Sequence, residues 1–180
     1  MLLSATGCLR AQTPRPNRLD LSITYAAEHS LKSNTSQNFW LQGGSIQLGA
    51  NVWRGWGIAA DVTGIHAGSI GTSGIPLSLV TSTFGPRYRW HAGRRLSLYA
   101  QGLIGEANGF RSLFPTAAGS QPEANGFAVQ VGGGADFSLS DRFAIRMIDA
   151  AWSRTQLPND TSNVQNDLRL GAGVVLRFAH

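Results

Sequence analysis

A single cysteine, Cys8, serves all 180 residues, so neither a disulfide framework nor a thiolate metal cluster holds this chain together. One lysine, Lys32, stands against fourteen arginines, and Asp, Glu, Lys and Arg together make up only 14% of the sequence. Soluble domains carry about 25%, and a surface this poor in Lys and Glu is badly suited to water. No stretch reaches the roughly 18 consecutive apolar residues of a membrane-spanning helix, and no window repeats apolar residues at the i, i+3, i+4 spacing of an amphipathic helix. Helical bundles and helical membrane proteins are excluded together. The four histidines, His29, His66, His91 and His180, fall on separate segments and do not converge on one metal site. Neither a metal nor a cofactor is expected.

What the chain does have is 42% hydrophobic residues and 22 glycines, ample for one folded domain of this length. Residues 1–17 precede that domain. Residues 1–9 are apolar and include the small-residue stretch Ser4-Ala5-Thr6-Gly7, but they lack the charged start of a full export signal and read as the remainder of a truncated signal peptide. Cys8 sits where a lipoprotein would be modified, yet the Leu expected three residues earlier is missing, which favours an ordinary cleaved leader. Pro14 and Pro16 make 12–17 an extended lead-in. The formal charge of +5 is spread over scattered arginines rather than gathered in a stripe, and Arg87-Tyr88-Arg89-Trp90 places its bases and rings on opposite faces of a strand. Nucleic acid is therefore not an expected partner.

From position 18 to 178 apolar and polar residues alternate with the two-residue period of a β-strand. The first strand, about 18–28, opposes Leu19, Leu21, Ile23 and Tyr25 to Asp20, Ser22 and Thr24. The second, about 39–52, opposes Ile46, Leu48, Ala50 and Val52 to Ser45, Gln47, Gly49 and Asn51. Strands at 56–64 and 78–90, then others opening at Leu96, Phe127 and Phe143, continue the design, and a last one covers 164–178. Only the seventh breaks parity: counted strictly from Phe143, Trp152 would turn to the polar face and Asp149 to the apolar one. A one-residue bulge near Met147 or Ile148 restores both. Connections alternate in length: 29–38, 65–77, 107–124 and 155–163 are long, whereas 53–55, 91–95 and 140–142 are short. Eight antiparallel strands with every second turn tight predict an all-β, up-and-down transmembrane β-barrel with short periplasmic turns.

Alternation alone leaves open which face points outward. A soluble, lipocalin-like carrier of a lipophilic ligand would bury the apolar set; a membrane barrel would expose it. The membrane reading places large aromatics at two heights, as girdles at the two interfaces. Trp53, Trp56, Tyr88, Trp90, Phe137, Phe143 and Phe178 fall at the short-turn end, and Tyr25, Trp40, Phe127 and Trp152 near the long loops. It also turns Arg87, Arg89, Arg146, Arg169 and Arg177 inward beside Asp20, Asp61, Asp136, Asp149 and Asp167, a nearly cancelling set, and buried charges persist only when paired. The hairpin register sets Asp136 against Arg146 and Gln47 against Asp61. At eight strands such an interior is filled by side chains, so no wide pore is expected.

The run Phe84-Gly85-Pro86-Arg87-Tyr88-Arg89-Trp90 and the tail carrying Arg154, Gln156-Leu157-Pro158-Asn159, Asn163, Gln165-Asn166, Leu168-Arg169-Leu170 and Arg177-Phe178 resemble the bacterial outer membrane β-barrel family related to the transmembrane domain of outer membrane protein A. The resemblance spans 18–178. It implies a porin-like, monomeric protein of the Gram-negative outer membrane, in contact with outer membrane lipids including lipopolysaccharide. It also implies insertion by the barrel-assembly machinery through the closing alternation Leu170, Ala172, Val174, Leu176, Phe178. A structural or loop-binding role follows, and no enzyme is expected. The enzymatic alternative is an outer-membrane lipid-modifying hydrolase resembling a lipid A deacylase, with Glu28, His29 and Ser30, or His66 and Ser69, as its candidates. Adjacent residues of an extended chain point apart, which disfavours the first set.

Overall fold

The computed structural model describes residues 19–31, 39–69, 74–116, 119–158 and 163–178; the leader, Cys8 and the lead-in lie outside them. Eight strands follow in order: β1 (Leu19–Ser30), β2 (Trp40–Trp53), β3 (Trp56–Ala67), β4 (Leu77–His91), β5 (Leu96–Thr116), β6 (Gly119–Ser138), β7 (Phe143–Thr155) and β8 (Gln165–Phe178). Each pairs antiparallel with the next, and β8 pairs back onto β1 to close a barrel.

The closure is staggered. A row that starts at Leu21 crosses Leu48, Ala60, Phe84, Ile104, Val129, Arg154 and Asn166. It returns where the Leu31 N–H donates to the Asn166 carbonyl, ten residues beyond its start. With a rise of about 3.3 Å per residue and about 4.8 Å between strands, that stagger tilts the strands roughly 40° from the barrel axis. The ten steps of β3 from Trp56 to His66 then climb about 25 Å, the height of the apolar band of a membrane barrel.

The pleat decides the orientation. Leu48, Val62, Val131 and Val174 are 51–54% exposed on the perimeter, whereas Asp61 and Arg169 are 1% and 3% exposed inside. A soluble carrier requires the reverse. The bulge lies at Met147: Ala135 faces Ile148 and Asp136 faces Arg146, leaving Met147 as the additional residue. Met147 and Ile148 both face outward, after which Asp149 is buried and Trp152 is exposed. Without that extra residue a carboxylate would face hydrocarbon, which costs a few kcal/mol.

The strands are longer than the polarity pattern indicates. Segment 107–124, expected as a loop, is mostly a paired hairpin: Ala107 faces Gly126 and Phe110 faces Glu123, and beyond an irregularity Phe114 faces Gln121. Likewise β1 and β3 continue to Ser30 and Ala67. Above the bilayer, backbone pairing continues whatever the side chains are, so the apolar and polar alternation fades before the ladder does.

An arginine at the bilayer midplane of a barrel costs roughly 2–4 kcal/mol. Leu48→Arg, which is lipid-facing near mid-height, is expected to lower unfolding free energy by that amount in urea titrations from phospholipid vesicles. Leu48→Met is expected to be near neutral. Equal effects of the two would mean that Leu48 does not meet hydrocarbon.

Candidate functional site: the charged lumen and its mouths

The inward side chains form two ion-pair clusters. In the half nearer the short turns, Asp20 receives both Arg87 Nη1 (2.9 Å) and Arg87 Nη2 (2.5 Å), with Arg89 Nη2 at 3.5 Å. Asp136 bridges Arg89 Nη1 (3.1 Å) and Arg146 Nε (2.9 Å). Arg146 also donates to Gln47 Oε1 at 3.0 Å, and Gln47 Nε2 donates to Gln101 Oε1 at 3.1 Å. The Tyr99 ring supports both cations, with Arg146 4.5 Å and Arg89 5.8 Å from its centroid, a cation–π arrangement that strengthens once water is excluded. Three arginines thus meet two aspartates.

The second cluster inverts the balance. Arg169 reaches Asp61 Oδ1 at 3.0 Å and Asp149 Oδ2 at 3.5 Å, and it donates to Thr63, whose hydroxyl hydrogen goes to Asp61 Oδ1 at 2.7 Å. The Gln130 side-chain oxygen, in the orientation that satisfies both partners, accepts from Arg169 Nε (3.2 Å) and Nη1 (3.0 Å). Asp167 is not in this set. Among the described residues it closes no ion pair with an arginine, and the polar groups beside it are Glu28 and Ser30. Arg177 stands apart at the short-turn mouth and donates to Ser138 Oγ at 2.5 Å.

Backbone choices make room for these groups. A Cβ at Gly49 would overlap the Arg87 guanidinium, and one at Gly134 would meet the Tyr99 ring and hydroxyl. At these two positions the missing side chain is space for a large neighbour, whereas a Cβ at Gly43, Gly57, Gly85, Gly105 or Gly173 would meet a backbone carbonyl of the adjacent strand. The supporting roles of Tyr99, Gln47, Gln101, Gln130 and Thr63 were not deduced from sequence, because alternation gives a residue's face but not its reach across the lumen.

The mouth at the long-loop end was not deduced either. Leu41, Ile65, Ala67, Leu79, Ala107, Phe114, Ala124, Ala128 and Leu157 are buried together there, with Phe39 and Leu77 packed against them. The inward face therefore changes character along the barrel, from charged and polar in the middle to an apolar cap at this end. Glu28, Ser30 and Asp167 occupy the β1–β8 side of the same mouth.

On the perimeter all the girdle aromatics fall on the outward face. Trp56 and Tyr88 pack at 5.0 Å, and Tyr88 and Trp90 stack at 5.9 Å, near the short turns. Trp53, Phe137, Phe143 and Phe178 share that level, while Trp40, Phe127, Trp152 and Tyr25 lie toward the other end, where Tyr25 donates to Gln42 Oε1 at 2.9 Å. The hydrolase candidates separate. Glu28 and Ser30 point inward and His29 outward against Trp40, 4.7 Å between ring centroids. The His66 ring nitrogen meets Ser78 Oγ at 2.9 Å, not Ser69, which accepts instead from the Gly74 N–H.

A closed barrel of eight staggered strands with an apolar perimeter and a charged interior invites comparison with solved membrane barrels. The attachment invasion locus protein Ail of Yersinia pestis matches with a TM-score of 0.59 and 22% identity, over 90% of this chain and 99% of that one. Neisserial surface protein A matches with a TM-score of 0.66 and 13% identity, over 89% and 97%. The chain has the eight-stranded outer membrane β-barrel fold. The N-terminal barrel domain of Pseudomonas aeruginosa OprF shares it as well, with a TM-score of 0.52 and 14% identity over 88% and 97%. No protein-family model and no curated protein matches this barrel.

Removing one member of a buried ion pair costs about 3–5 kcal/mol because the other charge is left uncompensated. Asp20→Asn is expected to destabilise the barrel by about that much. In a double-mutant cycle with Arg87→Gln, the coupling energy should exceed about 1 kcal/mol. Additive single effects would show that the bidentate contact is not what holds Arg87 in the lumen.

Proposed function

We propose that this is a monomeric, integral protein of the bacterial outer membrane, inserted by the barrel-assembly machinery. Its lumen is closed, and its role is structural or is exercised at the external surface. The observation that supports this reading best is the filled interior. The ion-pair column occupies the middle of the lumen and an apolar cluster its mouth at the long-loop end, which supports a lumen without a porin-sized path. The extramembrane element best suited to contact a partner is the β5–β6 hairpin, whose paired arms reach Thr116 and Gly119.

The lipids of the outer membrane, lipopolysaccharide included, are the natural surroundings of this perimeter. One neighbour of the fold, Yersinia pestis Ail, at 21% identity and a TM-score of 0.56, is known in complex with the heparin analogue sucrose octasulfate. A sulfated glycan is accordingly a ligand class to test here, although the exposed charges of the external end, Arg111 and Arg154 beside Glu106 and Glu123, nearly cancel. For a lipid hydrolase the specific observation is the His66–Ser78 contact on the outer face. It is weakened by the burial of Ser78 and because His66 closes no ion pair with a carboxylate among the described residues. If that reading were correct, His66→Ala would abolish lipid A deacylation by the purified protein.

Two measurements test the proposal. In planar bilayers the folded protein is expected to give no porin-sized conductance steps, and a stable open channel would overturn the closed lumen. In a Cys8→Ser background, Ser120→Cys is expected to react with a membrane-impermeant maleimide on intact cells, whereas Gly93→Cys in a short turn should be protected until the envelope is broken. Labelling of Gly93→Cys on intact cells would reverse the orientation.

A further inference from the structure

The tight turns at one end of the barrel carry an excess of positive charge that the lumen does not use. Arg54 lies between β2 and β3, Arg94 and Arg95 between β4 and β5, and Arg142 between β6 and β7; all four are exposed. Among the described residues of these turns the one acidic residue is Asp141. Four arginines against one aspartate leave these turns with a net positive charge.

We propose that these arginines form a collar that binds the phosphate groups of anionic phospholipids in the leaflet at the short-turn end. The inference rests on the membrane-spanning reading above and adds a ligand class to it. Depth supports it first. Each turn borders the lower aromatic girdle: Arg54 lies 4.9 Å from the Trp53 ring centroid, Arg142 precedes Phe143, and Arg94 follows Trp90 by four positions. Aromatic girdles sit at headgroup level, so the guanidinium groups are held where phosphates are.

The circular arrangement supports it next. The turns occupy every second seam of the barrel, at β2–β3, β4–β5 and β6–β7. The charge is distributed as a ring rather than a patch. A compact macromolecule meets a patch, whereas the lipids surrounding a barrel meet a ring.

Local chemistry supports it last. Arg54 and Gly55 adopt φ values of 45° and 89°, the left-handed pair of a type I′ hairpin turn, a setting in which Asn or Gly is at ease and a long side chain is not. An arginine at that position carries a conformational cost that its charge and fork-shaped donor set offset if it meets phosphate. Guanidinium binds phosphate through two parallel hydrogen bonds where lysine offers a point charge.

The test uses the full barrel in phosphatidylcholine vesicles with spin-labelled phosphatidylglycerol or phosphatidylcholine as the probe. Both leaflets have the same composition, so insertion direction does not enter. A basic residue near an anionic surface contributes about a five-fold preference. The wild-type protein is therefore expected to immobilise phosphatidylglycerol at least five-fold more strongly than phosphatidylcholine, with the preference falling as salt rises. Combining Arg54→Gln, Arg94→Gln, Arg95→Gln and Arg142→Gln should abolish it, whereas Arg111→Gln with Arg154→Gln at the other end should leave it intact. The fold of each variant is checked by heat-modifiable migration. If the quadruple variant does not fold, Arg94→Gln with Arg95→Gln should still reduce the preference several-fold. No preference in the wild type, or one that survives loss of the collar, overturns the proposal. Either result leaves the conductance and maleimide outcomes above untouched, so the two readings fail separately.

Discussion

Hydrocarbon offers no hydrogen-bond partner, so every backbone N–H and C=O that crosses it must be satisfied within the sheet. That constraint produces the seam between β1 and β8, in which Leu19 faces Phe178 and the ladder continues to Ser30 and Asp167. Once the seam exists, the stagger follows from the register, and strand number with stagger sets the bore. Eight strands leave an interior that side chains fill. The inward face must then be chosen for mutual fit, which is why Arg87 lies where Gly49 has no Cβ and Tyr99 lies against Gly134. Closure thus reaches from a backbone requirement to the identity of single glycines.

The same bore dictates how charge is handled inside. Any Arg or Asp that enters is removed from water, and the several kcal/mol lost by each ion must be recovered from partners. The lower cluster recovers it by sharing: Asp20 and Asp136 between them serve Arg87, Arg89 and Arg146. In the upper cluster one arginine, Arg169, serves Asp61 and Asp149. Neither cluster is neutral alone, and their excess charges are opposite, so the column attracts itself along the barrel axis. An ion entering this column would displace a partner on both sides and would also have to cross the cap of Leu41, Ile65, Leu79 and Leu157.

The two-residue period made the strands, their order, the outward faces and the bulge legible, because lipid enforces polarity wherever a residue lies within the apolar band. Legibility ended where that enforcement ends. Leu41, Ile65 and Leu79 share the parity of Ser45, Asp61 and Thr83, so an inward apolar set could have been read from sequence. Their neighbours above the bilayer carry no clear alternation, and Ile65 fell into a supposed loop. The β5–β6 arms were hidden for the same reason, since Gly109, Ser112 and Pro115 read as loop residues although their backbone pairs or lies beside paired positions. Pairwise contacts across the lumen lay further out of reach: Arg169 and Asp61 are separated by 108 positions, and only the closed register brings their strands to opposite walls.

In the closed-lumen reading proposed above, function lies at the two rims, and the rims differ in kind. At the external end the exposed charges of Arg111, Arg154, Glu106 and Glu123 offset one another, and the chain extends into a long hairpin that can meet a partner by shape. At the opposite end the turns are too short to form a surface of their own: two residues link β2 to β3, and four each link β4 to β5 and β6 to β7. Such turns interact only through the side chains that they project sideways and downward, at the depth set by the adjacent Trp53 and Trp56. Charge is what such short turns have to offer, and positive charge at that depth is complementary to phosphate.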